Sequence, residues 1–265
     1  MLAQQHQAVI VEEVRRHGAV RVSDLVETLR VTDMTIRRDL ESLASQGLVD
    51  KVHGGAVAPN GHSTDEPGFA AKSGGEQSQK DAIADAALVQ PGTAVGISAG
   101  TTTNALAQRL RAVSDLTAVT NSTRVADVLH EPSRPHRVVI LTGGTPTPSE
   151  ALVGPVAVTT LRSLHLDLVF LGVHGMDPHR GFTTPNLLES ETNGAPLEAG
   201  RTAVVVADHT KWGVVGISTI AQLDEVHALV TDHGLPDDAR TILEERVGEL
   251  VIAPMASQLG EARSE

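Results

Sequence analysis

The chain has 265 residues, 40% of them hydrophobic and 20% charged, with a formal net charge of −12. This is the composition of a folded globular protein with room for about two domains. No cysteine is present for disulfides or thiolate metal sites, and no run nears the ~18 apolar residues of a membrane span. The first residues carry acids inside their apolar pattern, unlike a signal peptide, so a cytoplasmic protein is expected.

Val9, Ile10 and Val14, with Leu2 ahead of them, predict a first helix ending at His17-Gly18. Val22, Leu25, Val26 and Leu29 line one side of a second, short helix with Ser23 near its start. A third helix, from about Asp33, gathers Ile36, Leu40 and Leu43 into one apolar stripe and turns Met34, Arg37, Arg38 and Ser45 away from it. The Thr32 hydroxyl suits the N-cap, and Gly47 suits the C′ position. LVDKV followed by HGGAV predicts a small β-ribbon. Three helices and a ribbon in so short a stretch describe a winged helix-turn-helix, whose third helix enters the major groove of DNA. The expected DNA contacts are Thr32, Met34, Thr35, Arg37 and Arg38 on that helix, and Lys51, His53 and Gly54 on the ribbon.

Residues 1–57 hold seven Lys and Arg against eight Asp and Glu, a balance of −1, so −11 belongs to the rest of the chain. An acidic bulk repels DNA except where a local basic face is presented. Pairing two readers in a homodimer or homotetramer, on a double-stranded operator with two half-sites, would supply the missing contacts. Residues 58–79 are rich in Gly, Pro, Ser and Asp and read as a linker. A second domain is expected over 80–256, with a polar tail at 257–265.

From Lys80 the pattern alternates. KDAIADAALV reads as a helix, TAVGIS as a strand, and SAGTTTNALAQRL as a loop running into a helix. LTAVTNS (strand), STRVADVLH (helix), RVVILTGG (a strand of the buried type) and VAVTTLRSL (helix) follow. Then come the strand DLVFLGVHG, a loop to Phe182, and a weaker helix, LLESETNGAPLEAG, with Pro196 inside it. RTAVVVAD and HALVTD are strands, DARTILEERV is a helix, and GELVIA is the last strand. Short apolar strands alternating with helices predict a mostly parallel, Rossmann-like α/β sheet covered on both faces, with its ligand at the carboxyl ends of the strands.

Those strand ends are chemically alike: Ser98-Ala99-Gly100-Thr101-Thr102-Thr103, Thr120-Asn121-Ser122, Thr142-Gly143-Gly144, Gly172-Val173-His174-Gly175 and Asp208-His209-Thr210-Lys211. Small residues admit close backbone approach, the helix after Thr101 offers free amides to an anion, and Lys211 adds a point charge. A small polar, phosphorylated effector is expected here rather than a tightly held cofactor. Neither GxxxxGK[ST] nor GxGxxG spacing occurs, which argues against a nucleoside triphosphatase and a dinucleotide site.

The competing class is an enzyme, such as a sugar-phosphate isomerase, with Asp177, Glu189, Glu191 or Asp208 as base. No paired-carboxylate spacing supports it, and the 12 histidines show neither HxxxH nor HExxH, so no catalytic residue and no metal ligand is assigned. A milder rival is a DNA-binding protein whose second domain only oligomerises.

TIRRDLESLASQGLV followed by HGGA resembles the signature of the DeoR family of bacterial transcriptional regulators. The likeness continues through the helix near Lys80, the GTTT loop, TNS, the GG after RVVILT, Gly154, LGVHG, VVVADHTKWG and LVTD, in the family's order. The resemblance implies a repressor of a sugar-catabolic operon. Its second domain would be similar to ribose-5-phosphate isomerase and CoA-transferase folds and would sense a phosphorylated sugar. By that resemblance the phosphate loop is Gly100, Thr101, Thr102 and Thr103, the Asp-x-x-Lys element is Asp208 and Lys211, and further strand-end positions are Asn121, Gly143, Gly144 and Gly172. To these the strand-end pattern adds Ser98 and Ser122. Two departures stand out: Ser98 where many members carry aspartate, and Gly194 with Pro196 inside a helix that usually runs uninterrupted.

Overall fold

A computed structural model describes residues 3–17, 19–45, 48–52, 55–57, 64, 66, 68–73, 76–134 and 136–254, and the chain divides into two units, Met1–His62 and Ser63–Glu265. In the first unit α1 (Ala3–His17), α2 (Val22–Leu29) and α3 (Asp33–Ser45) form where the apolar spacing predicts them. Their stripes meet in one core of Ile10, Val14, Leu25, Leu29, Ile36, Leu40 and Leu43, all buried, closed by Val49 and Ala56. Each such aliphatic side chain contributes about 1.5–3 kcal/mol by leaving water. The Thr35 amide donates to Thr32 Oγ1 at 3.3 Å, so Thr32 caps α3 as expected. The Leu48 amide closes on the Leu43 carbonyl at 2.9 Å, a closure that ends a helix; Gly47 itself lies outside the described residues.

The ribbon is three-stranded rather than two-stranded. β1 (Ala19–Arg21) joins β2 (Asp50–Val52) and β3 (Gly55–Val57) in the order β1-β3-β2, both pairings antiparallel. Three residues between two helices carry too short a pattern to announce a strand.

In the second unit α4 (Phe69–Ser73) and α5 (Gln77–Ala86) precede β4 (Ala94–Ile97), α6 (Thr101–Leu110), β5 (Thr117–Thr120), α7 (Thr123–Leu129) and β6 (Val138–Leu141). A short hairpin, β7 (Thr145–Pro146) with β8 (Leu152–Val153), leads into α8 (Pro155–Arg162) and β9 (Leu166–Gly172). β10 (Gly175–Asp177), β11 (Gly181–Thr184), α9 (Leu187–Ala199), β12 (Gly200–Val206), β13 (Ser218–Ala221), β14 (Ala228–Asp232), α10 (Asp237–Arg246) and β15 (Leu250–Ala253) complete it. Seven strands form one wholly parallel sheet in the order β15-β14-β12-β9-β4-β5-β6.

Strand alternation divides the interior into two cores. Phe170, Val204, Val206 and Val230 pack with Ile83, Leu106 and Leu129 of α5, α6 and α7. Val169, Leu171, Val205 and Leu229 pack with Leu161 and Leu243 of α8 and α10 and with Met176 and Phe182 of the smaller sheet. The chain enters at β4, runs outward to β6, returns to β9 on the other side of β4, and runs outward again to β15. The order therefore reverses between β4 and β9, and such a reversal opens a crevice at the carboxyl ends of the two strands.

Three expectations change. RVVIL is not a buried strand: β6 is the sheet's last strand, and Val138 and Leu141 are 47% and 43% exposed at that edge, where no strand among the described residues pairs beyond it. The loop to Phe182 is the hairpin β10–β11, extended by β13 into a second sheet. Its turn is built by Asp177, whose Oδ1 accepts the amides of His179 and Arg180, and by Gly181 at φ +70. The stretch read as linker contains α4, which docks within the second unit through Phe69. The interrupted helix does form: α9 is continuous through Gly194 and Pro196, started by Asn186, which accepts the amides of Leu188 and Glu189. Burial of Thr192, Ala195 and Pro196 offsets the roughly 3 kcal/mol that an internal proline costs.

Candidate functional site

At the start of α3 the structure presents a small exposed face. Met34 is 80% exposed, Arg37, Arg38 and Thr32 are exposed, and Thr35 is half-buried with its hydroxyl 2.9 Å from that of Thr32. The two arginines differ. Arg37 Nε donates to Asp33 Oδ1 at 2.5 Å and its Nη2 to Oδ2 at 3.3 Å, which raises the guanidinium pKa and lowers that of Asp33. Arg38 has no ion pair among the described residues. Lys51 lies in β2 opposite Ala56, while His53 and Gly54 lie outside the described residues. Sequence reading missed what fixes α3 from behind: Asp39 is buried, accepts Gln7 Nε2 at 3.3 Å and stands 3.5 Å from His6 Nδ1 of α1.

The second unit holds a cleft at the reversal point, enclosing about 610 Å³ with its open mouth included. Ala99, Gly100, Thr101 and Thr102 lead from β4 into α6, Gly172 ends β9, and Val173 and His174 follow it. Lys211 reaches it from the short turn after β12. The N-cap of α6 is Gly100, which has no side chain to occupy the first-turn amides, so that helix end faces the cleft uncapped. Of the expected effector residues the cleft gathers Gly100, Thr101, Thr102, Gly172 and Lys211.

The others are placed where they brace it. Ser98 Oγ accepts the Gly172 amide at 2.9 Å, tying the ends of β4 and β9 together. Asn121 Oδ1 accepts the Ala99 amide at 2.8 Å, and its Nδ2 donates to the Leu152 carbonyl. Thr103 Oγ1 donates to the Gly100 carbonyl, and Ser122 caps α7 by accepting the Val125 amide. Asp208 is buried and accepts both the amide and the hydroxyl of Thr210, shaping the turn that carries Lys211. Gly143 and Gly144 have φ of +74 and +125, and a Cβ on Gly144 would stand 2.6 Å from the Val153 carbonyl, so they turn the chain against β8. None of these seven lines the cleft.

Six lining residues were not assigned from the sequence: Phe69, Lys72, Ser149, Thr184, Asn193 and Ile220. Glu189, weighed there as a possible base and as a group that could face a sugar hydroxyl, lines it too and is 8% exposed. It is clamped by two hydroxyls, Ser149 Oγ donating to Oε1 at 3.1 Å and Thr184 Oγ1 donating to Oε2. The other carboxylates considered as bases are elsewhere: Asp177 is spent in its turn, and Glu191 is exposed on α9.

Lys72 lines the cleft with Lys211, and Lys80 stands behind it. Burial depresses the pKa of Lys72; Glu189 opposes this, Lys211 pushes it further down, and Glu66 opposes again. Burial likewise depresses Lys80, with Asp208 opposing and Lys211 adding to the depression. Lys80 Nζ donates to the Lys72 carbonyl at 2.9 Å. A desolvated ammonium beside a second positive charge is best relieved by an anion between them. In the turn that carries Lys211, His209 Nδ1 stands 2.8 Å from Asp232 Oδ2; that hydrogen bond raises the imidazole pKa against burial. Burial would raise Asp232, but hydrogen bonds from the His209 ring and from the His209 and Gly234 amides outweigh it and hold the carboxyl low. Among the described residues no group of three or more His, Asp or Glu is placed to hold a metal, and no helix is long and apolar enough to cross a membrane.

Comparison with known proteins gives two family matches. A DeoR-like helix-turn-helix domain matches residues 6–61, and a DeoR C terminal sensor domain matches residues 76–233. The uncharacterized HTH-type transcriptional regulator YgbI of Escherichia coli (strain K12) is 37% identical over 96% of this chain and 99% of its own length. The putative aga operon transcriptional repressor of Escherichia coli O157:H7 is 32% identical over 92% of this chain and 91% of its own. Among solved structures, ribose 5-phosphate isomerase A from Methanocaldococcus jannaschii aligns with a TM-score of 0.34 and 13% identity, over 50% of this chain and 52% of that one.

Proposed function

The chain belongs to the DeoR family of transcriptional regulators, and from that premise we propose a repressor of a sugar-catabolic operon whose hold on DNA is set by a phosphorylated sugar in the second unit's cleft. One observation carries the sensor reading. At the reversal point of the sheet an uncapped helix end, Gly100 to Thr102, shares a cleft with Lys211 and Lys72, and Glu189 and Asn193 line it as well. Amides and ammonium groups suit a phosphate. A carboxylate and a carboxamide suit the hydroxyls of a sugar chain. The volume admits a ligand of that size, and the effector is bound reversibly rather than kept as a cofactor.

The reader acts through α3 in the major groove, with Arg38 free to meet a base edge. Two copies of the chain, as a dimer or within a tetramer, present two readers to two half-sites. The ligand shifts DNA affinity only by its differential affinity for the two arrangements, typically about 1–3 kcal/mol.

Fluorescence anisotropy of labelled DNA from upstream of the protein's own gene, at fixed salt, tests this directly. Saturable binding displaced several-fold by one member of a panel of sugar phosphates is the expected result. Saturable binding that no phosphorylated compound moves would leave the second unit as an oligomerisation domain. Absence of sequence-specific binding would remove the repressor reading.

A further inference from the structure

A smaller cavity adjoins the cleft at Asn193, which lines both. Glu189, Thr192, Asn193 and Pro196 share the buried face of α9; the first and third border the cleft, the last three border the cavity. The cavity encloses about 240 Å³ counted to its opening, with full clearance for about one methyl-sized group. Its apolar lining is Ile97, Val119, Leu161, Val169 and Pro196. Three polar side chains on its border are already engaged. Ser98 Oγ accepts the Gly172 amide, and Asn121 accepts the Ala99 amide and donates to the Leu152 carbonyl. Thr192 Oγ1 donates to the Leu188 carbonyl at 2.7 Å and accepts the Gly154 amide at 3.2 Å. A space with so few polar groups to spare suits an apolar occupant rather than water.

Asn193 differs from these three. It is 4% exposed, yet among the described residues no group hydrogen-bonds its carboxamide. A buried carboxamide without partners is destabilising, and a ligand that offers it both a donor and an acceptor removes the penalty. We infer that the effector carries an acetamido group, whose N–H and C=O pair with the Asn193 carboxamide and whose methyl enters the adjoining cavity. This rests on reading the cleft as the effector site. The phosphate lies at the α6 amides, sugar hydroxyls face Glu189, and the ligand class with all three groups is an N-acetylamino sugar phosphate. A free amine would bring a charge to an apolar space that holds nothing to pair it. A hydroxyl in place of the amide would not reach the cavity.

The test is calorimetry on the full chain with the 6-phosphates of glucose, glucosamine and N-acetylglucosamine, the galacto and manno epimers of each, and inorganic phosphate as reference. One N-acetyl compound should bind roughly tenfold or more tightly than its amine and hydroxyl counterparts. Val119→Ile, which projects one more methylene into the cavity, should bring that compound down to its hydroxyl counterpart without lowering the melting temperature. Asn193→Leu, of similar volume and without donor or acceptor, should erase the same preference. Phosphate binding with no N-acetyl preference, an amine that binds tightest, or a preference that survives Val119→Ile overturns the inference and leaves the effector site standing. No binding of phosphate or of any sugar phosphate overturns the effector site and the inference together.

Discussion

At the residue scale the two neighbouring arginines of α3 are not equivalent. Arg37 is engaged by Asp33, one turn earlier, an exposed pair of little intrinsic worth. Arg38 carries no such restraint, so Arg38→Ala should cost roughly 1–3 kcal/mol in operator affinity and relax preference at a single base position. Anisotropy against a panel of single-base operator variants reads this, and an equal loss on every sequence would make Arg38 a phosphate contact instead. In the cleft, Lys211→Ala should lower the ligand response at least tenfold while operator binding without ligand persists; losing both together would contradict separate sites. The His209–Asp232 pair has its own signature. The raised imidazole pKa contributes stability that is complete below the ordinary value of 6.5 and vanishes as pH rises through the folded value. The lowered carboxyl pKa contributes stability that is complete above 3.8 and vanishes as pH falls through its folded value. Asp232→Asn should therefore destabilise the second unit most between those two ordinary values and less on the alkaline side, where only the carboxylate's bonds to the neutral ring and to the His209 and Gly234 amides remain to be lost, as thermal unfolding across pH would record.

At the element scale, what was legible in the sequence is what has a period. The stripe Ile36, Leu40, Leu43 and the apolar runs VVVAD and LVFLG each carry enough residues to specify a helix or a strand, and all formed. The elements that escaped are too short or too local to show a period: β1, the hairpins β7–β8 and β10–β11, β13 and α4. The turn signal at Asp177-Pro178 and Gly181 was present and identifies the hairpin once two strands are sought around it. For the cleft, residues on the ends of β4 and β9 were found because the strand ends share a chemistry. Lys72 was not, because a lone lysine in a Gly- and Ser-rich stretch announces nothing until the fold brings it beside Lys211. The small sheet also has a position that tolerates no side chain. A Cβ on Gly175 would lie 2.0 Å from the Val214 carbonyl, within backbone rather than a yielding side chain. Gly175→Ala should thus displace β10 and cost about 3 kcal/mol, at the upper end of overpacking. Because β11 carries Thr184, one of the two hydroxyls clamping Glu189, the same variant should weaken ligand binding beyond its effect on stability. Calorimetric melting paired with ligand titration separates the two effects.

At the scale of the whole molecule, a chain of net charge −12 binds DNA with a reader segment that is itself near neutral. Bulk electrostatics work against association, so affinity has to come from a small number of well-placed contacts, used twice. Each phosphate neutralised contributes a slope of about −0.9 to the dependence of log affinity on log salt. A single α3 with Arg37, Arg38 and a wing lysine supplies only a few such contacts, whereas two readers on one operator double the slope. Binding should accordingly be steep in protein concentration and should require two half-sites whose centres lie about 34–36 Å apart or a multiple of it. Deleting one half-site should halve the salt slope and remove most of the affinity. Equal slopes on one and two half-sites would mean that each reader binds alone, and ligand control would then have to act within one chain rather than through the spacing of two.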